Sequence, residues 1–453
     1  MNVVDTFWIY ARTLRKEGMS FFGDYVEQLS YLLFLKLADE QGTTLPDKCD
    51  WQYLRKLNGK ELLKSYSNAL LTLGESSNFN IAFSGANTQK FEKPVSLKNL
   101  IEKIDKIDWS SMNTDIKAEL YEGLLEKFHS SEKGQGQYFT PRPVILTIID
   151  CIQPKFKLGI QIHDPASGTG GFLINTFEYF RTISDGFTKL NRTQTDHLMK
   201  NTFSGVEIES RVRKLAYMNS LLRGLDVNID RADSLSDTYN TPNKFDYILT
   251  NPPFGGKTSD GNNLRDDFSV VASELELNFL QHVMTILKNG GECAIVMPDG
   301  ALSSPKGRRI FEKLFKKFNL HTMIRLQNKT FMPYADAETN VLFLKKGEPT
   351  KDIWIYDNRT NYDPITKRKN KLTEEMFDDF KKCYKTEPRK ASERFKKVLL
   401  SEIENNENFL DYVWIDDKNK IDYSTINPVN VSEELSDTLK TAIQNIKNIQ
   451  KEL

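Results

Sequence analysis

Little in this sequence could staple or anchor a fold. Its four cysteines, Cys49, Cys151, Cys293 and Cys383, lie far apart, and none forms a Cys-x-x-Cys pair or a zinc-like spacing with the five histidines. That argues against a disulfide framework and against a metal site, and it suits a reducing cytoplasm. The first residues, MNVVDTFWIYARTLRKEG, hold no charged head followed by an apolar signal core, and no uninterrupted apolar run approaches membrane-spanning length. A soluble protein with no membrane contact is expected. Net charge is missing too, since 62 basic side chains balance 62 acidic ones. A protein that grips DNA alone by neutralising phosphates shows a basic excess, so any DNA contacts here are local or shared with a partner. Solenoid-type repeats and long low-complexity tracts are also absent.

What is present divides by texture. Residues 1–130 read as a helical N-terminal domain. In DYVEQLSYLLFLKLADE, Leu29, Leu32, Leu33 and Leu37 recur at spacings of three and four, and loops such as LGESSNFNIAFSGANTQ separate the segments. Over 131–360 short apolar runs alternate with helical stretches. GIQIHD, TFSGVEI, FDYILT, GECAIVM, HTMIRL and NVLFLKK read as strands; ESRVRKLAYMNSLLRG and ELELNFLQHVMTILKNG read as helices, the second closed by Gly290 and Gly291 as a C-cap. The alternation predicts an α/β domain, a largely parallel sheet covered by helices. Residues 361–453 form a C-terminal region, charged, lower in strand signal and expected to be helical. TKRKNKL and KTEPRKASERFKK read as a solvated face or loop, with contact to DNA backbone as the alternative. In EELSDTLKTAIQNIKNIQKEL, Leu435, Leu439, Ala442, Ile443, Ile446 and Ile449 share one helical face, a stripe that packs on its own domain or at a subunit interface.

The segment HDPASGTGGFL, 163–173, reads as a strand ending at Asp164, a loop through Ala166, Ser167, Gly168, Thr169 and Gly170, and a helix opening near Gly171. Gly168, Gly170 and Gly171 remove side chains where the backbone must turn and approach a ligand, and the loop amides and helix N-terminus face that ligand. Alone, this pattern also fits NAD or nucleotide binding, but it lacks the Lys-Ser/Thr of a phosphate loop and a full G-x-G-x-x-G. Asp164 would repel a pyrophosphate and attract the cationic methionine end of S-adenosyl-L-methionine, directly or through water. Glu207, ending the next strand in FSGVEIES, suits the hydroxyls of an adenosine ribose, with Glu209 as the alternative. ISDGFTKLNRTQTDHL between them reads as an insertion. Asp233 in RADSL either accepts from the cofactor's adenine amine or caps its own loop.

In FDYILTNPPFGG, 245–256, a strand runs into Asn251-Pro252-Pro253-Phe254. The two prolines fix the backbone and leave carbonyls free of ladder bonds. The exocyclic amine of adenine is a poor nucleophile because its lone pair is delocalised into the ring. The Asn251 side-chain carbonyl and the Pro252 carbonyl could each accept one N–H, localising that lone pair, while Phe254 offers a flat face to a base swung out of a duplex. The bland alternative is a strand stopped by Pro-Pro.

Upstream, GQGQYFTPRPV, 134–144, reads as an ordered loop entering a helix, with Thr140 as N-cap and Pro141 at the first helical position. GQYFTP, DPASGTGGF and NPPF, in this order, resemble the three hallmark motifs of amino-methylating DNA methyltransferases. More closely, roughly residues 1–360 resemble the modification subunit of type I restriction–modification systems, GVEIESRVRKLAYMNSLL, GGECAIVMPDGALSS and NKTFMPYADAETNVLFLKKG included. The resemblance implies a Rossmann-like S-adenosylmethionine-dependent methyltransferase sheet and N6-methylation of adenine in double-stranded DNA. It makes Gln137, Tyr138, Phe139, Thr140, Pro141 and Arg142 candidates for holding the methionine part of S-adenosyl-L-methionine, beside Thr169, Gly170, Gly171 and Glu207. It implies a specificity subunit as partner, with two copies of this chain, and a restriction subunit in the same system. Two rivals remain. Enzymes that methylate a glutamine of release factors share Asn-Pro-Pro, usually with Tyr in the last place, and an assembly subunit with a decayed site would keep the fold without the chemistry.

Overall fold

The computed structural model describes residues 9, 22–86, 90–107, 109, 121, 123, 139–257, 265–332, 335–366 and 370–416. The chain has two units, Met1–Val413 and Trp414–Leu453, and the first carries every described helix and strand. The stripe from Leu435 to Ile449 lies outside the described residues, as does part of TKRKNKL.

The described residues up to Asp105 build helices, chiefly α1 (Phe22–Glu40), α2 (Gly59–Glu75) and α3 (Pro94–Asp105). The leucines at spacings of three and four do what their period predicts. Leu29, Leu32, Leu33 and Leu37 are all fully buried, in one apolar cluster with Leu62, Leu73 and Leu100. That cluster continues into Leu215 and Ala216 of a later helix, so these helices share a core with the α/β part. At about 25 cal/mol per Å² of apolar surface, each fully buried leucine contributes on the order of 1.5–3 kcal/mol.

Next come α4 (Arg142–Ile152), β1 (Ile162–Asp164), α5 (Gly171–Ile183), α6 (Arg192–Asn201), β2 (Phe203–Val206), α7 (Ser210–Leu221), β3 (Asn228–Asp230) and β4 (Phe245–Thr250). They are followed by α8 (Leu275–Ile286), β5 (Leu287–Pro298), α9 (Pro305–Lys317), β6 (Phe318–Arg325), β7 (Thr339–Lys346), β8 (Asp352–Asp357), α10 (Asp378–Lys385) and β9 (Phe395–Leu399). One nine-stranded sheet runs in the order β3-β2-β1-β4-β5-β7-β6-β8-β9. It is parallel from β3 through β5; β7 enters antiparallel between β5 and β6, and β9 is an antiparallel edge. The reversal of winding lies beside β1, where α/β sheets open a crevice at the carboxyl ends of their strands. The expected insertion after α5 is α6, opened by a capping box of Asn191 and Gln194.

All six strands read from periodicity are present, and the structure adds β3, β8 and β9. The stretch KTEPRKASERFKK is less loop-like than expected: its last residues start β9, where Phe395 and Val398 are buried and Lys397 pairs with Asp352 at 3.0 Å. Cross-strand pairing with β8 overrides the local charge. The helix expected to reach the Gly290–Gly291 pair instead ends at Ile286, and both glycines belong to β5. The reason is a bulge against β4, where the register jumps between Phe245↔Leu287 and Tyr247↔Glu292. Gly290 takes φ +77°, and a Cβ on Gly291 would sit 2.9 Å from the Asp246 carbonyl oxygen.

Candidate active site

The carboxyl ends of β1, β2 and β4 open onto a cavity of about 800 Å³. Asp164 closes β1 and is almost wholly buried; its Oδ1 accepts from the Ala166 amide at 3.0 Å and from the Thr250 hydroxyl at 2.7 Å. The second bond ties the cofactor-loop strand to the last residue of β4, immediately before Asn251. The loop itself is held by Ser167, whose amide donates to the Val206 carbonyl at 3.0 Å. Gly168 and Gly170 take φ +52° and +80°, a region that strains other residues. Gly171 is small for another reason, since a Cβ there would lie 2.8 Å from Ile145 of α4.

Glu207 follows β2 and accepts from the Gly168 amide at 2.9 Å and the Glu209 amide at 2.8 Å. Each carboxylate oxygen keeps a lone pair for a further donor. Glu209 lines the same cavity and also caps α7, accepting from the amides of Arg211 and Val212. Burial pushes both Asp164 and Glu207 up to about 7, against the bonds that pull them down. Among the described residues no basic side chain pairs with either. Two buried carboxylates without a cation suit a ligand that brings positive charge and hydroxyl donors. Asp233 makes the loop cap, taking the Leu235 amide at 2.9 Å with Oδ1, and it also lines the cavity. Ala166, Ser167, Gly168, Thr169 and Gly171 line the same cavity.

On the β4 side, Asn251, Pro253 and Phe254 line it too. Asn251 Nδ2 donates to the Thr140 hydroxyl at 3.0 Å, while its Oδ1 is buried with no partner among the described residues. No described donor reaches the Pro252 carbonyl either. Phe254, 6% exposed, meets Phe331 edge-on, centroids 6.0 Å apart at 89°. Phe139 and Thr140 line the cavity from upstream; Pro141 and Arg142 open α4 beside it, and Gln137 and Tyr138 lie outside the described residues. The helix cap differs from expectation. Pro141, not Thr140, is the N-cap of α4, and having no side-chain acceptor it makes no cap bond, while the Thr140 hydroxyl accepts from Asn251.

Three contributors were missed from sequence. Phe331 backs Phe254. Ile208, 66% exposed beside Glu207, presents an apolar face to the cavity. Glu276 of α8 accepts from the Gly255 amide at 3.3 Å and steadies the turn after Phe254. An exposed isoleucine directly after the acidic residue was the one local signal. Among the described residues no group of three or more His, Cys, Asp or Glu is placed to hold a metal, and no helix is long and apolar enough to cross a membrane.

Residues 112–420 match the model of a family described as N-6 DNA Methylase. The methylase subunit of the type I restriction enzyme StySPI, from Salmonella potsdam, is 35% identical over 87% of this chain and 78% of that protein. The EcoKI methylase subunit of Escherichia coli K12 is 35% identical with the same coverage. Among solved structures, a modification subunit from Vibrio vulnificus superposes with a TM-score of 0.70 at 25% identity, covering 89% of this chain and 94% of that one.

Proposed function

The chain belongs to the N-6 DNA methylase family, among the type I restriction enzyme methylase subunits, and on that footing we propose how its site transfers a methyl group to the exocyclic amine of adenine in DNA. The assignment of the catalytic group rests on the Asn251 Oδ1: a buried amide oxygen with no partner among the described residues, at the wall of the cavity. A buried acceptor left unmade costs about 1–3 kcal/mol, and a base amine would satisfy it.

S-adenosyl-L-methionine, when bound, supplies an electrophilic methyl group. Asp164 and Glu207 fit it, the first attracting its positive methionine end and the second accepting from ribose hydroxyls. Gly168, Thr169, Gly170 and Gly171 leave room for it, with Ala166 and Ser167 in the same loop. Phe139, Thr140, Pro141 and Arg142, with Gln137 and Tyr138, extend that wall upstream, and Asp233 offers its second oxygen to an adenine amine. Ile208 gives the adenine an apolar face.

Asn251 accepts one N–H of the target amine and the Pro252 carbonyl accepts the other, which holds the lone pair on nitrogen. Pro252 and Pro253 fix the backbone that aims both acceptors. Phe254 stacks on the extruded base, and Phe331 stops its ring from rotating away. The proton lost after transfer needs no strong base, since a methylated ammonium is acidic.

As a type I methylase subunit the chain acts on duplex DNA with a specificity subunit and, in the restricting assembly, a restriction subunit; two copies of it flank one specificity subunit, in the cytoplasm. We assign a helical part to 1–130, a catalytic part to 131–360 whose sheet is completed by β9 at Phe395–Leu399, and contacts with other subunits to the rest of 361–453. The test is to incubate the chain and its specificity subunit with unmethylated DNA and a labelled methyl donor. N6-methyladenine is expected. Label in 5-methylcytosine, or only in protein glutamine, overturns the reading, and no label at all in a folded complex supports a decayed site.

A further inference from the structure

A second cavity, of about 330 Å³, lies across β1 from the first. His163 precedes Asp164 on β1, and successive side chains of a strand point to opposite faces. The register pairs His163 with Ser204 and Ser204 with Asn228, so three adjacent parallel strands carry one polar row. A sheet covered by helices on both faces reads apolar at such positions. Here the crossover from β3 to β4 holds only a 3-10 turn, Asp237–Tyr239, and the row is left facing a cavity walled by Tyr239, Lys244 and His282.

Two features of that cavity ask for negative charge. The first is His282, 1% exposed. Its Nδ1 lies 2.6 Å from Arg265 Nη1. A guanidinium can only donate, so Nδ1 accepts and Nε2 carries the ring hydrogen. That Nε2–H is buried without a partner among the described residues. Burial and Arg265 push His282 down to about 3, so it stays neutral in this tautomer. His282 lines the cavity, and with Nδ1 held by Arg265 its Nε2–H is the ring donor left unused. The second is Lys244, exposed at the rim 5.2 Å above the Phe245 ring, with no carboxylate partner among the described residues. The lining also holds one carboxylate, Asp230, within electrostatic reach of the Arg213 guanidinium and the Tyr239 hydroxyl. Phe245 in turn stacks on His163, 3.9 Å between centroids, and floors the site.

We propose that this cavity binds a small organic oxyanion, a phosphate or carboxylate group taking the His282 Nε2–H and the Lys244 ammonium as donors, with the Asn228 amide beside them. The volume lies at the lower end of small-molecule sites. The site stands apart from the methyl-transfer reading and would survive its failure.

The full chain, labelled with 15N-histidine, is titrated with inorganic phosphate, glycerol phosphate and acetate, each against sodium chloride at matched ionic strength. Only five histidines give ring signals. A saturable shift of the His282 and His163 rings, with a rise in melting temperature, is expected for at least one oxyanion. Lys244→Gln and Asn228→Ala change exposed residues and leave the core intact; Lys244→Gln should weaken binding by about ten-fold, as loss of a charge-assisted bond does. Response to phosphate and its monoester assigns a phosphate ligand and response to acetate alone a carboxylate; either upholds the proposal. Shifts no larger than chloride produces, or affinity unchanged in both variants, overturn it.

Discussion

Asn251 and Thr140, 111 residues apart in sequence, are joined by one hydrogen bond of 3.0 Å from the Asn251 amide to the Thr140 hydroxyl. The bond occupies Nδ2 and leaves Oδ1 as the unused acceptor of the carboxamide, and an acceptor is what an amine nucleophile needs.

Thr140→Val keeps the volume and removes that partner. A neutral hydrogen bond is worth roughly 0.5–1.5 kcal/mol, so single-turnover methyl transfer should fall by up to about ten-fold, with cofactor affinity little changed. Thr140→Ser should restore the rate. A valine variant as fast as the parent would show that the bond does not position Asn251.

Asn251→Ala should abolish methyl transfer while leaving cofactor binding largely intact. Phe254→Ala should weaken capture of the extruded base by roughly 1–3 kcal/mol, the usual value of base–aromatic stacking, read with a fluorescent base analogue at the target position. Transfer by Asn251→Ala at near-parental rate would remove Asn251 from the chemistry.

The two raised carboxylates make a pH prediction. Asp164 and Glu207 sit at about 7 in the folded chain, above the ordinary carboxylate value of about 4. Between these values the folded chain holds protons that the unfolded chain has released, so stability falls as pH rises through the window and levels off above it. A cationic ligand favours the ionised forms, so binding of S-adenosyl-L-methionine should release protons and weaken as pH drops from about 8 to about 6. Calorimetry in two buffers of different ionisation enthalpy measures the release; none at neutral pH would contradict the assignment. Glu207→Ala, losing a charge-assisted bond of roughly 1.5–3 kcal/mol, should bind about ten-fold or more weakly.

With basic and acidic side chains balanced at 62 each, the chain alone should neither bind DNA tightly nor select a sequence, because reading base edges needs a dedicated element in a groove. Gel shift and methylation at physiological salt, with and without the specificity subunit, decide this. Site-specific methylation by the chain alone would make it self-sufficient.

The three motifs, the burial of the α1 leucines and six strands of the sheet were legible in the sequence. Each depends on a local signal: a glycine where the backbone must turn, a proline pair after an apolar run, a period of two or near four. Hidden from it were β3, three residues long and polar at its ends, and β9, whose lysines mask two buried residues. That α8 ends at Ile286 is a matter of tertiary structure, since the bulge responsible is a pairing with β4. The same holds for Glu209 capping α7, for Asp164 bonding Thr250, and for Thr140 holding Asn251 instead of capping α4. These are competitions between partners distant in the chain. Which donor reaches which acceptor is set by register and packing, and no local pattern carries that distance.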